Sequence, residues 1–347
     1  MTDTFLRTLL LPLLAIALTA ISPRPAAALE CGAFSFPKCD GPDAQFAGSF
    51  QPGPGIAGFG GGDCKAKRTP VVFIHGNGDR ATNWDAPVAK IGTDHTLPPR
   101  SVYQEFKNRG YSDCELFGVT YLDDQEQAYI PGNYHRPEKY LIITDFINAV
   151  KAYTGSDRVD IVTHSLGASM TLAALKVDDA WGSVRRFVNI AGGIRGLDSC
   201  YLGFVFPTCG SENIFDSDIF GFSPINNDWT GSGTEFSLRE MPGRHPDVLF
   251  YTITAGLNDQ IHCAATSDVS TCASGPLFKV AANVRAQLNI GAGSTTLQDS
   301  QDGGDSDGIG HMKSRINSGT IIYTMLNTDC RGLNCKGNYR GPVRAAP

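Results

Sequence analysis

Short apolar runs recur along the chain, and the stretches between them space their apolar residues as helices do. The runs cover residues 71–74, 116–119, 159–162, 187–190 and 248–253, with a weaker one at 287–290. Runs that are apolar throughout are typical of parallel strands covered on both faces. The pattern predicts an α/β fold with a mostly parallel central sheet and helices on both faces.

Two stretches depart from this alternation. Residues 53–62 are rich in glycine, which favours a surface loop. Residues 195–246 are rich in glycine, proline, asparagine, serine and aromatic residues, and they predict a loop-rich insertion. Insertions of this kind often shape a substrate site, because they extend from a rigid scaffold.

The start of the chain has the form of a secretory signal peptide. An apolar stretch from Leu9 to Ile21 is followed by two prolines and the small residues Ala26–Ala28. It is shorter than the roughly 20 apolar residues that a membrane span needs, and Pro12 interrupts it. We therefore expect a signal peptide at residues 1–28, export without a transmembrane anchor, and a single domain over residues 29–347.

Ten cysteines follow the predicted cleavage site, and an even number in an exported chain favours disulfides. Their short separations indicate four local pairs and leave one pair across a longer loop. The pairs are 31–39, 200–209, 263–272 and 330–335, with 64–114 as the longer one. Since no two cysteines are spaced as C-x-x-C and no paired histidines follow at ligand spacing, we predict no metal site.

The charge of the chain makes nucleic acid an unfavourable partner. Lysine and arginine number 29 against 35 acidic residues, a net charge of -6, and no run of five basic residues occurs. A protein that neutralises phosphates needs such basic clusters. The sequence also offers no motif for a cofactor, and none is predicted.

The sharpest chemical signal is the pentapeptide from Thr163 to Gly167, with Ser165 at its centre. It lies between a predicted strand and a predicted helix, the context of a nucleophile elbow. In such a turn the serine takes a strained backbone conformation that lifts its hydroxyl above the sheet. Gly167 provides the required small neighbour, whereas Thr163 stands where the usual motif has glycine.

A serine nucleophile needs a histidine base, which should follow it in the chain. Three histidines do so: His245, His262 and His311. His311 lies in a glycine-rich loop after the last strand and directly before the last helix, where this arrangement delivers its base. His245 is flanked by charge and proline and is expected at the surface, and His262 adjoins a cysteine.

Asp259 is the candidate for the carboxylate that orients the base. It follows a predicted strand, so it should lie at the carboxyl edge of the sheet, where open α/β sheets collect ligands. Asp302, Asp305 and Asp307 are rivals, but they share one polar loop shortly before His311 and are expected to be solvated. That loop lacks the closing glutamate of a calcium loop.

Two backbone N–H groups should stabilise the negative charge on the attacked carbonyl oxygen. Leu166, directly after the nucleophile, supplies one. The other is expected in the loop after the first core strand, where the glycines beside Asn77 let the backbone approach closely, and we assign it to Asn77. His75 in the same loop is expected to brace the turn.

Several motifs together resemble those of one family, the single-domain secreted poly(3-hydroxybutyrate) depolymerases related to small bacterial lipases. They are residues 71–78, the elbow at 164–167, residues 255–260 and residues 308–311, with further likeness at 118–122, 151–155 and 189–196. The resemblance implies an α/β-hydrolase fold, with Ser165 as nucleophile, Asp259 as acid, His311 as base, and Asn77 and Leu166 at the oxyanion hole.

The resemblance further implies a secreted, extracellular serine esterase that cleaves a water-insoluble polyester through an acyl-enzyme, and we expect a monomer. The alternative is a triacylglycerol lipase or short-chain carboxylesterase, since the chemistry is identical. A non-catalytic adhesion module would lack a triad member, and all three are present. Exposed aromatic residues should bind the surface of the substrate, chiefly Tyr129, Tyr134 and, in the insertion, Trp229.

Overall fold

The computed structural model describes eleven strands, β1 to β11, and eight α-helices, α1 to α8. The described residues are 44–85, 100–130, 133, 137–194, 222–223, 228–229, 238–264, 273–296 and 303–347. The strands are Ala44–Gly48, Ala57–Gly62, Val71–Ile74, Leu116–Thr120, Val159–His164, Val184–Ile190, Phe222–Ser223, Asp228–Trp229, Leu249–Thr254, Val284–Asn289 and Arg344–Ala345. The helices are Val102–Asn108, Asp124–Ala128, Pro137–Thr154, Leu166–Val177, Met241–Arg244, Gln260–Ala264, His311–Ile316 and Gly319–Asn327.

Nine strands form one sheet in the order β1-β2-β4-β3-β5-β6-β9-β10-β11. The six strands from β4 to β10 in this order run parallel to one another, and β2 and β11 join them antiparallel. Each of the six apolar runs identified in the sequence overlaps one of these six parallel strands. The predicted α/β fold with a mostly parallel sheet is therefore confirmed.

The core lies on both faces of the sheet because side chains alternate along each strand. Val72 and Ile74 of β3 face the cluster that includes α3 and α4. Val71 and Phe73 face the opposite cluster, which includes α1 and α8. All four are completely buried. This double cover explains why the central strands are predominantly apolar.

The surface loop predicted for the glycine-rich stretch 53–62 is confirmed at residues 53–56, which form a largely exposed turn, but it is wrong for residues 57–62, which form the buried strand β2. The glycines are required by close approach. A Cβ at Gly58 would lie 2.0 Å from the carbonyl oxygen of Gly118, and one at Gly60 would lie 2.3 Å from the ring of Phe117. The glycines of β2 are needed because neighbouring strands leave no room for a side chain. The local sequence does not show this constraint.

Two of the predicted disulfides are confirmed, Cys64–Cys114 and Cys330–Cys335. Cys263 is also disulfide-bonded. Its predicted pairing with Cys272, the two other pairs, the signal peptide and most of the insertion at 195–246 lie outside the described residues. Within the described ranges, no helix has the length and apolar character needed to cross a bilayer.

Candidate active site

Ser165 occupies the sharp turn between β5 and α4. Its backbone has φ +53° and ψ -128°, a strained conformation for a residue with a Cβ. The turn is held by the Ser165 N–H, which donates to the carbonyl of Ile190 at 2.9 Å. Ser165 is half-buried while every residue of β5 before it is buried, so the serine lies at the carboxyl edge of the sheet. The predicted elbow geometry is present.

The residues on either side of the elbow show why their sizes matter. A Cβ at Gly167 would lie 2.2 Å from the carbonyl oxygen of His75, so only glycine fits there. Thr163 is accommodated two residues before Ser165 because its hydroxyl donates to the carbonyl of Val188 on β6 at 3.1 Å. The departure from the usual motif at this position is therefore satisfied by a hydrogen bond.

His311 and Asp259 form a buried pair. Nδ1 of His311 lies 2.9 Å from Oδ2 and 3.0 Å from Oδ1 of Asp259, and each residue is 1% exposed. Asp259 follows β9, and His311 opens α7 after the loop that continues from β10. The two predicted residues are thus brought together although 52 positions separate them.

The His311 ring also connects with the elbow. It packs against the ring of His164, with centroids 4.8 Å apart, and Nε2 of His164 donates to the backbone carbonyl of His311 at 3.1 Å. Because His164 directly precedes Ser165, this contact joins the nucleophile to the base. Among the described residues no hydrogen bond links the Ser165 hydroxyl to the His311 ring, a contact that in many unliganded enzymes forms only with substrate.

Four buried histidines surround the site, and only one has a raised pKa. Burial lowers the pKa of His75 to about 3 and lowers those of His164 and His262 below the ordinary value. Burial acts on His311 in the same direction, but the Asp259 carboxylate outweighs it and the net pKa rises. His311 is therefore the histidine best prepared to carry a proton.

The pKa of Asp259 moves the opposite way. Its burial alone would raise the pKa, but the neighbouring His262 and His311 lower it, so the carboxylate stays ionised. The backbone N–H of His262 donates to Asp259 Oδ1 at 3.1 Å, and the His262 ring lies 3.5 Å from Oδ2. The rings of His262 and His311 therefore both lie close to the carboxylate of Asp259.

The loop after β3 lies directly against the elbow. A Cβ at Gly76 would lie 3.0 Å from Cβ of Ser165 and 2.9 Å from Nδ1 of His164. His75 braces this loop as predicted, because its Nδ1–H donates to the carbonyl of Gly76 at 2.7 Å and its Nε2 accepts the N–H of Tyr121 at 3.2 Å.

The two predicted oxyanion donors lie on either side of this contact. Leu166 is the first residue of α4, where a backbone N–H has no acceptor within the helix. The side chain of Asn77 is engaged elsewhere, since its Nδ2 donates to the carbonyl of Ile130 at 3.1 Å. This bond connects the loop after β3 to Ile130, and the oxyanion role of the Asn77 backbone N–H stays a prediction.

Asp305 is completely buried, so the expectation that the acidic loop is solvated is wrong for this residue. Its carboxylate accepts the backbone N–H groups of Gly310 at 2.7 Å and Met312 at 2.8 Å. These bonds satisfy the amides at the start of α7, which the sequence alone did not reveal. Asp307 on the same loop is exposed, as expected.

His245 is half-buried rather than fully at the surface, and its ring stacks on Trp181 at 4.4 Å. His262 lies inside the site instead of merely adjoining a disulfide. The signal that could have found it is its place three residues after Asp259 on the short helix α6, since residues three apart share a helix face.

One of the predicted substrate-surface residues is described in full. Tyr129 is 66% exposed, and the adjoining Ile130 is 47% exposed. Ile130 packs on residues 75–78 after β3, the predicted oxyanion loop, because its side chain lies 2.6 Å from where a Cβ of Gly78 would be. Tyr134 and the side chain of Trp229 lie outside the described residues, although the backbone of Trp229 pairs with Phe222.

Asp259, His262 and His311 also offer three ligand atoms within 4.8 Å of one another, close enough to hold a metal ion. The Nδ1 atom of His311 is already hydrogen-bonded to Asp259. A metal there would replace the bond that orients the base, so the same three residues cannot serve both chemistries at once.

Residues 68–229 match the family model described as lipase (class 2). The match includes the oxyanion loop and the elbow with Ser165, whereas Asp259 and His311 lie beyond it. The elbow, the parallel strand order and the chain order of serine, aspartate and histidine are together those of the α/β-hydrolase fold.

Solved structures of similar proteins include the mature lipase BlEst2 of Bacillus licheniformis, at 10% identity and a TM-score of 0.33, covering 58% of this chain and 71% of that one. Lipase B of Aspergillus fumigatus has 15% identity and a TM-score of 0.30, covering 67% and 47%. Naproxen esterase of Bacillus subtilis has 14% identity and a TM-score of 0.30, covering 57% and 68%. The chain therefore has an α/β-hydrolase fold, and its residues 68–229 are similar to class 2 lipases.

Proposed function

We propose that the protein is an exported serine esterase that hydrolyses water-insoluble polyester, poly(3-hydroxybutyrate) in particular. The observation that carries the esterase chemistry is the buried pair of His311 and Asp259 packed, through His164, against a serine in a strained elbow. This is the spatial arrangement that a nucleophile, its base and an orienting acid require.

In the acylation step, Oγ of Ser165 attacks the carbonyl carbon of the ester while Nε2 of His311 takes the hydroxyl proton. Asp259 holds Nδ1–H of His311 and stabilises the imidazolium that forms. The negative charge on the carbonyl oxygen is met by the N–H groups of Leu166 and Asn77. When the tetrahedral intermediate collapses, His311 gives its proton to the leaving alkoxide, and the acyl group stays on Ser165.

In the deacylation step, His311 removes a proton from water, which attacks the acyl-enzyme carbonyl. When the second tetrahedral intermediate collapses, the bond to Oγ of Ser165 breaks, His311 gives its proton to that oxygen, and the acid is released. Every proton moves between groups of the chain, the substrate and water. The mechanism therefore needs no metal and no organic cofactor.

The polymer preference is supported by the surface beside the site. Tyr129 and Ile130 expose apolar side chains at the edge of the oxyanion loop, where an extended solid would touch the protein. Exposed apolar patches of this kind on soluble proteins mark binding surfaces. The sequence resemblance to secreted depolymerases favours the same substrate, and the disulfides fit export.

A triacylglycerol lipase is the second candidate, and the match to the class 2 lipase model favours it. Both functions share the same chemistry, so substrate form must decide between them. The purified protein would be offered amorphous poly(3-hydroxybutyrate) granules, crystalline polymer film, a tributyrin emulsion and soluble p-nitrophenyl butyrate in parallel. Ser165→Ala is the blank for each.

Tyr129→Ala tests the surface with Val177→Ala as a matched control. Val177 is 48% exposed but ends α4, roughly 18 Å along the helix from Ser165 at 1.5 Å per residue. We expect Tyr129→Ala to lower granule hydrolysis several-fold and leave p-nitrophenyl butyrate turnover unchanged, with Val177→Ala neutral on both. Rapid tributyrin hydrolysis without polymer hydrolysis would reject the depolymerase proposal in favour of the lipase.

A further inference from the structure

The carboxylate of Asp305 caps the helix that begins with His311. It accepts the N–H of Gly310 at 2.7 Å, of Met312 at 2.8 Å and of Lys313 at 3.1 Å, and the residue is completely buried. The buried Lys313 ammonium donates in turn to the backbone carbonyl of Asp305 at 2.6 Å. A capping carboxylate satisfies amides that a short helix would otherwise leave without acceptors.

The capped loop also fixes the distance between the acid and the base. The carbonyl of Gly303 accepts two N–H groups, from Gln260 at 3.1 Å and from His311 at 2.9 Å. Gln260 is the residue after Asp259, so one oxygen atom joins both members of the pair. A Cβ at Gly304 would lie 2.2 Å from the carbonyl of Asn258, so the two loops are in direct contact.

Asp305 is also a second acidic group acting on the His311 ring. The ring is faced by Asp259 and His262 from the acid side, by His164 from β5, and by Arg315 from its own helix. Both carboxylates raise the pKa of His311, whereas Arg315 lowers it. Burial raises the pKa of Asp305 itself to about 7, against the effect of the amides that it accepts.

We propose that Asp305 is a positioning residue for the ester hydrolysis, which holds His311 at Asp259 through the capped loop and, when ionised, supplies a second negative charge that strengthens the base. Nothing in the geometry brings its carboxylate to the ring nitrogen, because its described bonds are to backbone amides. Its effect therefore differs from that of Asp259. The inference rests on the proposed esterase function.

The test compares Asp305→Asn and Asp305→Ser, two neutral residues that still cap helices well. Asp307→Asn is the matched control, since Asp307 lies on the same loop but is exposed. The pH dependence of kcat/KM would be measured on p-nitrophenyl butyrate, with reactive sites counted by a phosphonate that labels the nucleophile. Ser165→Ala, measured alongside, tests the proposed function separately.

We expect the acid limb of kcat/KM to move to lower pH by about half a unit in both Asp305 variants, because a lost neighbouring anion lowers a histidine pKa. The rate per reactive site should fall by roughly tenfold, as loosened general-base geometry does. Asp307→Asn should leave both unchanged.

An acid limb that stays in place in the folded Asp305 variants would overturn the inference, whatever the rate, since Asp305 would then only support the structure. Failure of both neutral variants to fold would overturn it too, because the residue would act on the fold and not on the base. Hydrolysis by Ser165→Ala would instead refute the proposed function.

Discussion

A buried ion pair ties the oxyanion loop to the helix of the base, and its loss should be costly. Arg315, four residues after His311, bonds to the carboxylate of Asp79, and the side chains are 1% and 7% exposed. The guanidinium carbon also lies 5.6 Å from the ring centroid of Trp84. Removing one partner of such a pair takes away the bonded counter-charge of the other, buried group, a cost of about 3–5 kcal/mol.

Arg315→Met is therefore expected to lower the free energy of unfolding by about 3–5 kcal/mol, a large part of the roughly 5–15 kcal/mol of a typical domain. The control is Lys279→Met. Its ion pair with Glu240 spans 2.9 Å, but the side chains are 44% and 37% exposed. Water already solvates these charges, so the loss there should be under about 1 kcal/mol.

Urea unfolding followed by circular dichroism, with the disulfides intact, measures both changes. The double variant Asp79→Leu with Arg315→Met should be less destabilised than the sum of the two single variants, because neither charge is left alone. If Arg315→Met costs no more than Lys279→Met, the pair is solvated in a way that contradicts its burial. The reasoning from the loss of a buried counter-charge would then be refuted.

Ser165→Ala should lower ester hydrolysis by several orders of magnitude with the fold intact, and a variant that keeps a tenth of wild-type turnover would contradict the elbow assignment. Asp259→Asn should lower kcat by about 10⁴-fold, measured in steady-state assays, and a near-neutral effect would place the acid elsewhere. The acid limb of kcat/KM should lie above the ordinary histidine pKa, because His311 must be neutral to act and its pKa is raised; a flat profile from about pH 5 to 9 would exclude a histidine base. Thiol titration of the native protein should find Cys64 and Cys114 unreactive, and free thiols at these positions would contradict their disulfide.

The sequence predicts the central sheet well, because strands that are buried on both faces are predominantly apolar, as β3 and β4 are. It also predicts Ser165, Asp259 and His311, because the fold fixes their chain order and their place after particular strands. Strand β2 was not predicted, because glycine has a low propensity for strands. Its glycines are required by the close approach of neighbours such as Phe117.

The polar support of the site was missed for a related reason. Asp305 lies in a loop that reads as solvated, and only the tertiary structure shows that its carboxylate is buried against backbone amides. His164 and His262 likewise belong to the site because their rings contact the ring of His311, which is distant in the chain. The spacing of apolar residues along a sequence predicts which of them are buried. It does not predict which polar side chains form contacts across the fold.

The positive φ of Ser165 has a consequence for how this molecule can be improved. Its conformation costs the folded state of order 1–3 kcal/mol, and any residue with a Cβ at that position inherits the same cost. Ser165→Gly would relieve this strain and stabilise the fold, but it would also remove the nucleophile. Stabilising substitutions must therefore be made at other positions, and the elbow is a site where stability and catalysis conflict.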